Sequence, residues 1–318
     1  AGGSLTNTHL LNCGQDSSFG GNKTPQGYAD SNDIGDFFYP PPTGFLALCT
    51  KNLPDVDVIP SANFNTVTWT GDASYPRSFN AGFQTDFLWI KSRSYTGNGI
   101  ALDTIRGSTK ALRTSTTGAE TTNTFATFDS EGFNITGTFN ESNETTVAWN
   151  WKAGGSASSN TNGTITSQVS ANPSAGFSIV SYTGTGANAT VGHGLSVAPN
   201  MTWIKPRNFA DNWIVTYDSV DGSDDQIYLN LTNAGGSPAT QYAVAQNATT
   251  LGLTSWNNVN DANDTYIAYA FHSVDGYSKV GTFAGNGSET AGPFVHCGFK
   301  PAFLLVRRAT EVGSWFMF

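Results

Sequence analysis

The chain has 318 residues and a formal net charge of −9, a balance that argues against binding through nucleic-acid phosphates, since such surfaces need clustered Lys and Arg. Charged residues make up only 12% while aromatics reach 13%, so solubility rests on hydroxyls and amides, and a wealth of Val, Ile, Trp, Tyr and Phe beside scarce Glu gives an all-β composition. No apolar stretch approaches the roughly 20 residues of a membrane span.

Taken in order, residues 1–62 stand apart from the rest of the chain. They carry two strand-like pieces, Leu10–Cys13 and Gly44–Cys49, around a loop rich in Gly and Asn, with Pro40-Pro41-Pro42 stiffening the approach to the second. Asn52 to Pro60 reads as a linker. The loop Asp30–Asp36 has the spacing of a calcium loop, but Ile34 occupies a ligand position, and ordinary turn chemistry explains it better. Cys13, Cys49 and Cys297 are too few and scattered for a disulfide framework or a zinc site; a Cys13–Cys49 bridge is one reading, and buried thiols in a reducing cytoplasm the favoured one.

From Phe64 on, strands read by alternation. Val67 and Trp69 face one way and Thr66, Thr68 and Thr70 the other, as in a half-buried strand. Phe87–Ile90 is apolar on both faces, which predicts a central strand covered on both sides or packed on a neighbouring unit. Gly132–Thr136 and Thr146–Trp151 close this stretch, and Gly154–Asn160 reads as a flexible connection. Trp213–Tyr217, Gln226–Leu231 and Thr265–Phe271 are further strands. No segment offers an amphipathic helix of ten or more residues.

The stretch Phe177–Tyr217 has relatives at Phe64–Arg93 and Tyr277–Phe318, giving an internal repeat with a period of about a hundred residues, a domain-sized spacing. Its anchors are Trp69, Tyr182 and Phe283, then Trp89, Trp203 and Leu305, then Lys91, Lys205 and Arg307. Asp103–Gly107 aligns with Asp218–Gly222, Ala111–Arg113 with Tyr228–Asn230, and Val147–Trp151 with Ile267–Phe271. The expected architecture is all-β, as tandem antiparallel β-sandwiches of the jelly-roll or concanavalin-like kind. The expected bounds are 63–175 for the first sandwich, 176–276 for the second and 277–318 for the start of an incomplete third.

The strings YPPPTGFLALCTKNLP (Tyr39–Pro54), GFSIVSYTGTG with TVGHGL (Gly176–Leu195) and YIAYAF followed by GYSKVGTFAGNG (Tyr266–Gly287) resemble virion proteins of tailed phages, of the kind found in aquatic phages and labelled tail fibre or structural protein. The resemblance covers nearly the whole chain. It implies a β-rich appendage module, places residues 1–62 as the end of a SPRY-like, concanavalin-type domain plus a linker, and supplies no catalytic residue. One feature departs from a phage origin. Asn-X-Ser/Thr sequons occur at Asn22, Asn134, Asn140, Asn143, Asn162, Asn188, Asn200, Asn230, Asn247, Asn263 and Asn286; either Asn- and Thr-rich loops generate them by chance, or the chain carries sugars on its loops.

The residues give little support to catalysis. His193 sits in a Gly-His-Gly turn with no counterpart in the other copies, the recurring Asp103 and Asp218 suit structural turns, and Glu141 and Glu144 share a solvated loop. No P-loop, nucleophile elbow or zinc-protease motif occurs. Lys91, Lys205 and Arg307 end equivalent strands and suit support of the fold or a contact between units. Binding is better supported: Trp256, with Asn257 and Asn258 beside it, is the candidate for stacking on a host glycan. The expectation is a non-catalytic structural and adhesive part of a phage virion appendage, needing no cofactor or metal and without a membrane span. Its partners would be copies of itself, a trimer above all, other virion proteins and host-surface polysaccharide. A glycosylated extracellular filament subunit and a carbohydrate-active depolymerase module are the alternatives.

Overall fold

The computed structural model describes residues 10–52, 57–218, 224–235 and 246–318. Contacts divide the chain into two compact units, Ala1–Val56 and Asp57–Phe318, so the expected bounds at 63, 176 and 277 all fall inside the second. Residues 53–56 of the expected linker lie outside the described residues.

In the first unit the two expected strands are absent. Leu10–Cys13 and Gly44–Cys49 are irregular, and a single antiparallel bridge joins Tyr28 to Phe37. The physical reason is that Leu10, Leu11, Phe45, Leu46 and Leu48 are exposed, so no sheet face is buried to fix a ladder. Asp30 organises the backbone instead. One of its oxygens accepts from Ala47 N and Asn52 Nδ2, both at 2.7 Å, and the other from Asn32 N at 2.8 Å and Ile34 N at 3.0 Å. Burial raises the pKa of this carboxyl, but these donors outweigh it and bring it down to about 2. The Asp30–Asp36 loop is therefore an Asx turn, with its first carboxylate committed to N–H groups. Cys13 is half-buried and Cys49 exposed, both free thiols, which corrects the reading of buried thiols: the irregular stretch turns Cys49 outward.

The second unit opens with β1 (Phe64–Thr70), β2 (Arg77–Asn80), β3 (Phe87–Ser92), β4 (Ile100–Asp103), β5 (Lys110–Arg113), β6 (Thr121–Thr122), β7 (Ala126–Phe128), β8 (Gly132–Ile135) and β9 (Thr145–Trp151). It continues with β10 (Ser158–Asn160), β11 (Ser167–Asn172), β12 (Phe177–Thr183), β13 (Ala189–Gly192), β14 (Met201–Pro206), β15 (Ile214–Asp218), β16 (Asp224–Tyr228), β17 (Thr250–Leu253), the short helix α1 (Asn257–Asn260), β18 (Thr265–Phe271), β19 (Leu305–Val306) and β20 (Phe316–Met317). The fold is all-β and its named strands pair antiparallel. One large sheet runs β1-β9-β3-β4-β5-β6 and the other β10-β11-β12-β18-β14-β15-β16, so the order β1-β9-β3-β4-β5 recurs as β12-β18-β14-β15-β16. Register recurs too: Trp149 of β9 stands opposite Thr66 and Trp89, and Tyr269 of β18 opposite Ile179 and Trp203. A smaller sheet, β2-β8-β7 in one half and β13-β17 in the other, completes each half.

Strand alternation explains the layers. In β3, Leu88 and Ile90 join the core shared with β8, around Phe133 and Ile135. Phe87 and Trp89 point the other way into a core made with Phe177, Trp203, Tyr269 and Phe271. Ring centroids lie 4.3 Å apart for Phe87 and Tyr269 and 5.6 Å for Trp89 and Trp203. The two large sheets thus pack face to face through aromatics, and this is why Phe87–Ile90 is apolar on both faces. A third core, with Val180, Ile204, Leu251 and Leu253, lies between the second large sheet and β13-β17.

Three details differ from the expectations. Gly154–Asn160 is only in part a connection, since Ser158–Asn160 pairs with β11. Register sets Leu112 opposite Ala101 and Ile227 opposite Val215, so Leu112 corresponds to Ile227 and not to Leu229. Asp103 stands opposite Phe87, and Tyr217 opposite Met201, so Asp218 takes the place of Thr104; a slip of one residue changes the face of the sheet, and the two aspartates have different surroundings. Residues 219–222 of the aligned turn lie outside the described residues.

From Tyr277 onward regular structure is sparse. Ser278 makes one bridge with Val274, and β19 pairs with β20. Phe303, Leu305, Trp315 and Met317 pack on the shared aromatic core, while Phe283 and Phe294 are exposed.

Candidate functional site

The sequons lead to a local structure that occurs in both halves. In the first half, Trp69 Nε1 donates to Phe139 O at 3.0 Å, Ala73 N to Asn140 O at 2.8 Å, Gly71 N to Glu144 O at 2.7 Å and Asn143 N to Gly71 O at 3.0 Å. In the second, Tyr182 Oη donates to Val259 O at 2.7 Å, Gly186 N to Asn260 O at 2.9 Å, Gly184 N to Asp264 O at 2.8 Å and Asn263 N to Gly184 O at 3.0 Å. The turn after the first strand of each half is clamped to the segment before its last strand. A Cβ on Gly71 would lie 1.9 Å from Glu141 O, and one on Gly184 2.1 Å from Asp261 O, so both positions require glycine.

The clamp also explains its asparagines. Asn143 and Asn263 adopt φ of 65° and 66°, a left-handed conformation that Asn tolerates better than most residues. Asn140 is wholly buried; its amide donates to Asp72 Oδ1 at 2.7 Å and Ser74 O at 2.8 Å while its oxygen accepts from Arg77 at 3.0 Å. Asn140 is therefore corrected as a glycan acceptor in the folded chain, because its amide nitrogen is enclosed and committed. The repeated string Phe139-Asn-Glu-Ser-Asn-Glu-Thr145 and Val259-Asn-Asp-Ala-Asn-Asp-Thr265 is the signal for this motif, and reading its asparagines as sequons conceals it.

Other sequon asparagines are also engaged. Asn200 occupies the place of Asp86: each lies opposite the end of the last strand and accepts from a backbone N–H two residues beyond it, Ser273 N at 2.8 Å and Ala153 N at 2.8 Å. Asn230 accepts from Trp213 N and donates to Asn212 Oδ1, both at 2.9 Å. Asn247 closes an Asx turn on Thr249 N and Thr250 N. Asn134, Asn286 and Asn22 donate to Asp129, Ala291 O and Phe19 O. Asn162 and Asn188 are exposed, and Asn188 accepts from Ser255 N at 3.1 Å.

The expected glycan site is split by the helical turn α1. Trp256 is 44% exposed and its carbonyl accepts from Val259 N and Asn260 N, which starts the turn. Asn257 is exposed, with its carbonyl taking the Tyr266 hydroxyl at 2.5 Å. Asn258 is corrected as a contact residue: α1 buries it with Val259 and Asn260 against the sheet.

The charged groups that suit structural turns do have structural partners. Asp103 accepts from Arg106 N and Nε and from the Tyr269 hydroxyl, and Arg106 reaches Ala101 O and Tyr269 across the aromatic interface. Burial opposes the charge on Arg106, but Asp103, Tyr269 and Glu120 outweigh it and hold the guanidinium protonated more firmly than usual. Glu120 joins the halves by a two-point ion pair with Arg207, at 2.9 and 3.2 Å. His193 is buried; its Nδ1 accepts from Leu195 N at 3.1 Å and its Nε2 lies 3.0 Å from Asn247 O, so the ring is held neutral and burial pushes its pKa down.

A cleft of about 230 Å³ opens where the first large sheet meets Leu229–Thr232 and the segment before β20. Trp89, Leu229, Trp315 and Met317 form its apolar wall, and Lys91, Thr114, Thr232 and Ser314 its polar rim. Trp315 is held by a hydrogen bond to Tyr228 O at 3.0 Å and by the Arg307 guanidinium 5.7 Å from its ring centre. The sequence alone gives Lys91 to the support of the fold and does not single out Trp315. Among the described residues there is no cluster of His, Cys, Asp and Glu suited to a metal and no helix long and apolar enough to cross a membrane.

No curated protein and no solved structure matches the chain. One family model, described as a domain of unknown function (DUF7483), matches residues 59–318, which takes in both halves and the segment after them. The chain belongs to that family.

Proposed function

We propose that the chain is a structural and adhesive component of a phage virion appendage, a tail fibre or similar part, that works without catalysis. One observation carries the reading: two halves of the same strand order are joined through a continuous aromatic interface into a single unit, with charged groups spent on holding it together. Asp103, Arg106, Glu120 and Arg207 bridge strands and halves, and Asp86 accepts backbone N–H groups. Such an arrangement suits a part that bears load. Exposed loop-end residues such as Trp256, and the cleft beside Lys91, provide the surface for host glycans. Self-association into a trimer fits the same role, since symmetric assembly stiffens a thin appendage.

The test is immunogold labelling of purified particles with antibodies raised against this chain, together with the native mass of the protein taken from its natural source. Labelling at an appendage and a mass of three chains are expected. A chain absent from particles and present as an open-ended glycosylated polymer would instead establish the filament alternative.

A further inference from the structure

We infer that the cleft beside β3 binds one acidic sugar residue, with the sugar carboxylate on the Lys91 ammonium. The inference deepens the adhesive reading and rests on it. Ligand pockets for drug-sized molecules start at about 300 Å³; at about 230 Å³ this cleft takes a single ring. Its two kinds of lining match the two kinds of surface on a pyranose. The wall of Trp315 and Met317, backed by the buried Trp89, meets a C–H face, and the hydroxyls of Thr232 and Ser314 meet ring hydroxyls. A bare inorganic anion would use only the cation and would leave the apolar wall in water.

Lys91 supplies the sign of the charge. An ammonium has three donors, and Lys91 Nζ makes one hydrogen bond, to Gly97 O at 3.2 Å. Among the described residues it has no ion pair with a carboxylate. One half-buried cation with open donors selects one carboxylate.

Comparison with the other half shows how this place differs from its counterpart. Thr114 N donates to Gly99 O, and at the equivalent place Leu229 N donates to Trp213 O, so Gly99 stands where the second half has Trp213. Even a Cβ at Gly99 would lie 2.7 Å from Trp89 Nε1 and Thr114 Oγ1. In the second half the Trp213 indole fills its site and donates to Arg113 O at 2.9 Å. Gly99 instead lets Trp89 and Thr114 close in on the backbone beside Lys91, with no indole at that place.

The test uses the purified full chain with glucuronate, glucose, a glucuronate-containing tetrasaccharide and inorganic phosphate, read by saturation-transfer NMR and calorimetric titration. Glucuronate and the tetrasaccharide should bind, glucose should bind much more weakly, and added salt should weaken the acidic ligands. Lys91→Met should reduce affinity about tenfold or more, the value of a charge-assisted hydrogen bond, while Lys91→Arg retains most of it. Equal binding by Lys91→Met with an unchanged melting temperature overturns the inference, as does phosphate competing as well as glucuronate. Loss of binding in Trp256→Ala alone moves the site to α1 and keeps the adhesive reading. No binding of any glycan on a broad array removes both.

Discussion

Lys91 and Lys205 hold the same place in the two halves and live in opposite surroundings. Lys91 is half-buried at the rim of a cleft; Lys205 is wholly buried, donates among the described residues only to its neighbour Pro206 O at 2.8 Å, and burial pulls its pKa down to about 8. Trp89 and Trp203 differ in the same way. The first donates to Thr114 Oγ1 at 3.1 Å, while the second has Leu229 in place of that threonine and finds no partner for its indole N–H among the described residues. Strand order and register are common to both halves, but at this place the first half gives its indole a hydrogen-bond partner and keeps its lysine near solvent, and the second does neither among the described residues. A shared framework thus tolerates a polar cost in one copy, and the copy whose lysine opens to solvent has it at the rim of a cleft.

The largest test of the shared framework is Phe87→Ala. Phe87 lies within 6.5 Å of the ring centres of Trp151, Phe177, Trp203 and Tyr269, so truncation should cost about 3–5 kcal/mol. Hydrogen exchange should then rise in both large sheets together. Exchange confined to the first half would show that the halves unfold independently.

Asn140→Ala and Asn260→Ala probe the two clamps at a smaller scale. Each removes a buried amide and leaves its partners unsatisfied, so each should cost about 2–3 kcal/mol in urea unfolding. A large effect in one half and none in the other would mean that the clamp is not an equivalent device.

Much of this is legible in the sequence. Alternation in Phe64–Thr70 and the doubly apolar Phe87–Ile90 identify strands and a covered central position, because period-two patterns report directly on burial. Register is not legible to a single residue: Asp103 and Asp218 look alike in sequence, yet pairing partners decide which face each takes. Leu10–Cys13 and Gly44–Cys49 have strand composition without a face to bury, and composition cannot supply one. For the site, Trp256 is visible by its polar neighbours, whereas the burial of Asn258 depends on one helical turn. The cleft depends on Gly99 and on Trp315, more than two hundred residues apart, and no local pattern joins them.

Lys205→Met sharpens the comparison further. In the folded chain the lysine pKa lies below its ordinary 10.5, so between about pH 8 and 10 the unfolded chain binds more protons and this group makes stability rise with pH. Replacement should remove that rise and add on the order of 2 kcal/mol at pH 7. Lys91→Met should leave stability nearly unchanged. Equal gains from the two would contradict their different burial.

The smallest expected effect is at His193, which stands where the first half has Ala81: His193 N donates to Thr249 O as Ala81 N does to Glu131 O. Its folded-state pKa is depressed, so its contribution is present above the ordinary value of 6.5 and lost as pH falls through that range. Chemical unfolding between pH 7 and 5 should show a loss that His193→Gln reduces. An identical loss in the variant would place acid sensitivity elsewhere.

The Asn140 clamp has a biosynthetic consequence. Its sequon is readable only while the chain is unfolded, since folding encloses the amide between Asp72, Ser74 and Arg77. A eukaryotic secretory host attaches sugars to nascent chains before tertiary structure forms. There an oligosaccharide at Asn140 would keep the turn after β1 from docking and divert product toward quality control, whereas synthesis in a bacterial cytoplasm lets the cage close unmodified. Yield in the two hosts, and its recovery in the secretory one when Ser142→Ala removes the acceptor motif and leaves Asn140 in place, would measure how strongly this sequence commits the protein to a compartment without glycosylation.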